Sequence, residues 1–121
     1  MKTVHKRTHL YEGMYIMRST LSDDARDKAI SKVTSLIEGL GGSVEKMLDW
    51  GRRKMAYEIK GCRDGHYHII YFRLPTETMD ELIRENHLHE DLLRFLHVAI
   101  EEIPEGNEIK FKSIVQVERN I

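Results

Sequence analysis

The segment Trp50-Gly51-Arg52-Arg53-Lys54-Met55-Ala56-Tyr57-Glu58-Ile59 sets three consecutive cations between a tryptophan and an apolar, strand-like run. Side chains of a strand alternate between two faces, so Met55, Tyr57 and Ile59 are expected to point together towards a core. Arg52 and Lys54 then share the other face with Ala56 and Glu58. Arg53 falls on the core parity, where an unpaired charge is costly to bury. Gly51 supplies a way out, a bulge or bend that turns the three cations outward together. Guanidinium groups presented rigidly in this way suit a phosphate backbone. A solvated strand end accounts for the same triplet, because charge runs usually serve solvation.

Other residue types invite other chemistry. The seven histidines include His66 and His68, two apart on one face of a strand, and His87 and His89 in what reads as a surface loop. A zinc site needs three or four donors converging at about 2 Å. Neither a cysteine pair nor a His-Glu-x-x-His helix supplies them, and no metal site is expected. Cys62, between Gly61 and Arg63, reads as an ordinary thiol in a turn. Asp80, Glu81 and Glu85 lie on the exposed side of an amphipathic helix. Gly41-Gly42 follows a helix, where a phosphate-binding loop would precede one. No serine or cysteine sits in a nucleophile elbow. No catalytic residue, cofactor or small-molecule substrate is therefore expected.

These residues depend on a series of strands and helices for their positions. Leu10 to Arg18 alternates and carries Tyr11, Tyr15 and Ile16, which favour a strand. Ser22 followed by Asp23 and Asp24 starts a helix, with a capping hydroxyl and acids in the first turn. Ala29, Val33, Leu36, Ile37 and Leu40 give it one apolar face, and Gly41-Gly42 stops it. Ser43 to Trp50 places Val44, Lys46, Leu48 and Trp50 on one face of a second strand that continues to Ile59. Gly61 to Gly65 reads as a hairpin connection with Asp64-Gly65 as its turn. His66 to Leu74 is apolar on both parities, as in a central strand covered on both faces, and Pro75 ends it. Thr78 and Glu81 are spaced as a capping box for a second helix whose buried stripe is Met79, Leu82 and Ile83. Leu92 to Ile100 is the fourth strand, and Lys110 to Val117 is spaced for a short added one. The order β-α-β-β-α-β is an α+β, ferredoxin-like arrangement, a four-stranded antiparallel sheet with both helices on one face. The expected organisation is a basic extension over residues 1–9, a single domain over 10–101 and a tail over 102–121.

The other sheet face is expected to be open and to hold Tyr67, Ile69 and Tyr71. An RNA-recognition motif would use paired aromatics there, but Tyr67 stands where that signature requires a small residue. The face reads better as a protein-docking surface. A formal net charge of −1 over 121 residues also argues against RNA binding by electrostatics alone. The cations are local, at Lys2, Lys6 and Arg7 and from Arg52 to Arg63, so an RNA target implies a co-binding partner. One cysteine rules out an internal disulfide framework and fits a reducing cytoplasm. No run of about 18 apolar residues suggests a membrane span.

The segments Leu10-Tyr11-Glu12, Gly41-Gly42-Ser43-Val44, Trp50 to Ile59, Gly65-His66-Tyr67 and Leu93-Arg94-Phe95-Leu96 occur in an order and spacing that resembles one family. That family is the bacterial small-subunit ribosomal protein six family, and the resemblance covers about residues 9 to 101. The run Gly51 to Ile59 resembles its Gly-Arg-Arg-Leu-Ala-Tyr-Pro-Ile pattern, with Glu58 where proline is common. The resemblance implies a ferredoxin-like fold, no catalysis and a place on the ribosome in the cytoplasm. It also implies binding to the central domain of small-subunit rRNA as a heterodimer with ribosomal protein eighteen. Carried onto this sequence, it makes Arg52 and Arg53 the first rRNA-contact candidates, with Lys54 and Arg94 next. A non-ribosomal module of the same fold, oligomerising or ligand-sensing, is the alternative.

Overall fold

A computed structural model describes residues 7–106. Its elements are β1 (Thr8–Arg18), α1 (Asp23–Gly39), β2 (Ser43–Ile59), β3 (Cys62–Pro75), a single 3-10 turn (Thr76–Thr78), α2 (Met79–His87) and β4 (Leu92–Ile100). The strands form one antiparallel sheet in the order β2-β3-β1-β4, the ferredoxin-like arrangement. The basic residues before Arg7 and the added strand expected near Lys110 lie outside the described residues.

Helix α1 begins and ends where local chemistry places its signals. The Ser22 hydroxyl oxygen accepts from the Ala25 amide at 3.1 Å, satisfying one orphan donor of the first turn. At the other end Gly41 adopts φ 92°. The amides of Gly41 and Gly42 then donate to the carbonyls of Glu38 and Ile37 at 3.0 and 2.9 Å. α1 buries Ala29, Ile30, Val33 and Ile37 against Tyr15, Met17, Ile70, Phe72 and Leu74 of the sheet. α2 adds Leu82, with Met79 at the margin. The expected capping box does not form. Thr78 Oγ1 donates to the Pro75 carbonyl at 2.8 Å, inside the tight turn that precedes the helix.

The opposite sheet face is not open. Met14, Ile16, Met55, Tyr67, Ile69, Tyr71 and Leu93 form a second buried cluster there. Part of its cover comes from the chain after β4. Ile103 packs on the cluster, and Lys46 Nζ of β2 donates to the carbonyls of Pro104 and Gly106 at 3.1 and 2.7 Å. Since β4 and β2 are the two sheet edges, this segment must cross the face. The start of the expected tail is thus tied to the domain.

Two further expectations shift. The β2–β3 turn is Lys60-Gly61, with φ 51° and 79° and Ile59 paired to Cys62. Positive φ at both central residues is what a two-residue hairpin needs to match strand twist, so Asp64, Gly65 and Cys62 are strand residues. His89 lies at 5% exposure, its Nε2 3.1 Å from the Ala29 carbonyl; it is a packing residue beneath α1. Among the described residues no helix is long and apolar enough to cross a membrane.

Candidate nucleic-acid interface

β2 positions the cations by departing from a regular strand. Its register against β3 shifts between Val44 and Lys46, between Asp49 and Gly51, and between Lys54 and Ile59, each time with the additional residues in β2. The first shift splits the face expected for Val44 and Leu48. Val44 packs on the helix-side cluster, whereas Leu48 and Trp50 join the second one. The second falls at the glycine expected to bend the strand. Gly51 has φ 85°, and its amide donates to Asp49 Oδ1 at 2.9 Å. An added Cβ would touch nothing there, so the requirement for glycine is conformational. Beyond it Arg52, Arg53 and Lys54 are exposed side by side, and Met55 returns to the interior.

Each cation of the triplet is held differently. Arg52 pairs with Asp64 across the hairpin at 2.8 Å. An exposed pair of this kind contributes about 0–1 kcal/mol, so a phosphate can compete for the guanidinium. Arg53 lies 4.0 Å from the Trp50 ring centroid, and its Nε donates to the Trp50 carbonyl at 3.1 Å. A guanidinium over an indole ring is held by cation–π attraction, which restrains the side chain of an exposed residue. Lys54 has no ion pair or hydrogen bond among the described residues, which makes it more available than its ranking behind the two arginines suggested. From Arg52 to Asp64 the hairpin end carries five Lys or Arg residues against Glu58 and Asp64. Arg63 lies 3.6 Å from Glu58.

The third shift brings a distant residue into this region. Lys54 pairs with Asp64 and Ile59 with Cys62, so five steps of β2 run against two of β3. The surplus coils the hairpin end over the sheet, and Tyr57 of β2 reaches β4. Arg94 donates to the Tyr57 hydroxyl at 2.7 Å and sits 5.7 Å from its ring centroid. A groove of about 390 Å³ runs between Lys60, His87, Arg94 and Phe95. Tyr57 was expected in the core with Ile59, yet it is 39% exposed. Its role as the bridge between the hairpin and Arg94 follows from the coiling of β2, which alternation alone does not reveal.

The residues expected to dock a partner are placed differently. Tyr67, Ile69 and Tyr71 are 4%, 0% and 0% exposed. Tyr67 meets the Trp50 ring edge-on at 5.6 Å. Tyr71 donates to Glu12 Oε2 at 2.5 Å, and burial and that carboxylate both raise its pKa. These three form the floor of the second cluster, with Leu48, Trp50, Leu96 and Val98 half-buried around them.

Residues 10–99 match the family model described as Ribosomal protein S6. A small ribosomal subunit protein bS6 from Protochlamydia amoebophila is 45% identical over 109 residues, covering 90% of this chain and 94% of that one. Its counterpart from Chlamydia muridarum is 51% identical over 100 residues, covering 83% and 89%. The crystal structure of 30S ribosomal protein S6 from Thermotoga maritima aligns with a TM-score of 0.72 at 25% identity, covering 94% of this chain and 97% of that one.

Proposed function

The chain belongs to the Ribosomal protein S6 family of small-subunit structural proteins, which are not enzymes, and on that premise we propose that it binds small-subunit rRNA through the end of the β2–β3 hairpin. One observation carries this reading: the bend at Gly51 exposes Arg52, Arg53 and Lys54 together on a structured hairpin. Arg53, held over the Trp50 ring, and Lys54 make the first phosphate contacts. Arg52 joins by exchanging Asp64 for phosphate, and Arg94, beside Tyr57, extends the footprint along the groove. The overall charge of −1 supports a second component, because few phosphates can be neutralised by one local patch. That component is ribosomal protein eighteen, bound as a heterodimer on the central domain of the rRNA. Its docking surface is the half-buried rim of Leu48, Trp50, Leu96 and Val98, with Tyr67, Ile69 and Tyr71 as the support beneath. The protein works in the cytoplasm, on the ribosome.

Cosedimentation tests the proposal. The full chain is expected to migrate with small ribosomal subunits at physiological salt. Its affinity for a central-domain rRNA fragment is expected to rise when ribosomal protein eighteen is added. A chain that remains at the top of the gradient, or an affinity indifferent to the second protein, overturns it.

A further inference from the structure

The bend that exposes the cations has a second set of side chains at its base. Asp49 of β2 lies directly opposite His68 of β3, and His66 lies two residues earlier on the same face of β3. One donor atom from each of the three falls within 4.8 Å of the others. His66 Nε2 is 2.6 Å from Asp49 Oδ1, and the two imidazoles stack with centroids 4.8 Å apart. Asp49 Oδ1 already serves both His66 and the Gly51 amide, which leaves Oδ2 without a partner among the described residues. His68 Nε2 is buried and has no hydrogen-bond partner among the described residues.

An aspartate hydrogen-bonded to one histidine is an ordinary cross-strand pair. That pair does not account for a second imidazole stacked on the first, facing the same carboxylate with an orphaned ring nitrogen. Buried polar atoms are normally satisfied, and the set of donors suits a metal. Two imidazoles and one carboxylate form a three-ligand set compatible with zinc, with water completing a tetrahedron. Donors around tetrahedral zinc stand about 3.3 Å apart, so small side-chain rotations convert the observed spacings to ligation.

We propose that Asp49, His66 and His68 bind one divalent transition-metal ion of the zinc class, clamping the β2 bulge to β3 beneath the Arg52–Lys54 triplet. The ion joins the two strands where their register slips, so its role is structural.

The test uses the full, untagged chain and zinc or cobalt salts alone, with no RNA. Equilibrium dialysis is expected to give one zinc per chain, and cobalt is expected to give a visible ligand-field band. Zinc is expected to raise the melting temperature. Asp49→Asn and His68→Gln are each expected to weaken binding by more than the roughly 10- to 100-fold typical of losing an outer-sphere partner. Because Asp49 is exposed, its replacement leaves the core intact should His68→Gln impair folding. A control chain carrying His5→Gln, His9→Gln and His87→Gln is expected to bind normally. Failure to bind stoichiometrically below millimolar free metal overturns the proposal. So does binding that survives in both ligand variants or disappears in the control.

Discussion

The two ends of β3 meet opposite surroundings. From Ile69 to Leu74 its apolar residues are buried on both faces, under the helices on one side and in the second cluster on the other. From Cys62 to Gly65 it pairs with the charged end of β2, where Arg52 to Lys54 are exposed and Met55 alone of that run is buried. One strand thus links a region that resists any change of volume to a region whose chemistry is almost all in water. Substitutions at the two ends should therefore separate stability from binding.

The sharpest contrast comes from Phe72. It is fully buried, stacked on Tyr11 at 5.6 Å and edge-on to His97. Phe72→Ala is expected to cost about 3–5 kcal/mol of stability, read by urea denaturation. The surviving folded fraction should keep the wild-type salt dependence of rRNA binding.

A smaller effect tests the buried end through pH. Burial holds His97 down to about 4, and its Nε2 lies within hydrogen-bond distance of the Tyr15 hydroxyl, at 2.6 Å. The unfolded chain takes up this proton at about pH 6.5 and the folded chain only near 4, so in that interval the unfolded state binds more protons. Stability is therefore full above about 6.5 and is lost as pH falls towards 4, by roughly 3 kcal/mol from this group. Denaturation across that range is expected to show the slope in the wild type and a reduced one in His97→Gln.

At the exposed end the expected effect on stability is smallest. Asp64→Asn removes the Arg52 ion pair at a cost of about 0–1 kcal/mol. It also releases a guanidinium and removes a carboxylate beside the triplet. Affinity for rRNA should rise a few-fold, measured at fixed salt, with the melting temperature almost unchanged. Weaker binding would mean that the pair orients Arg52 for its target.

The sequence predicted most where local chemistry decides. Ser22 and Gly41-Gly42 bound α1 because caps depend on a few adjacent residues, and Gly51 bends β2 because few residues accept φ 85°. The Asp64-Gly65 turn failed because Lys60-Gly61 satisfies the same requirement two residues after Glu58, and strand pairing settled the choice. The slip after Val44 could not be read from alternation, since a bulge exchanges faces without altering composition. The burial of Tyr67 and Tyr71 depends on segments far along the chain, including the crossing near Pro104. Asp49 joins His66 and His68 only through the register of β2 on β3, so a search for ligand spacing along the sequence missed it.

The most direct test is the salt dependence of binding to a central-domain rRNA fragment with ribosomal protein eighteen present. It compares the wild type with a chain carrying Arg52→Ala, Arg53→Ala and Lys54→Ala. Each phosphate contact contributes about 0.7–0.9 to the slope of log affinity against log salt. The variant is expected to fold normally, bind more weakly and lose about two to three units of slope. A folded variant with wild-type affinity and slope would contradict the assignment of rRNA binding to the hairpin.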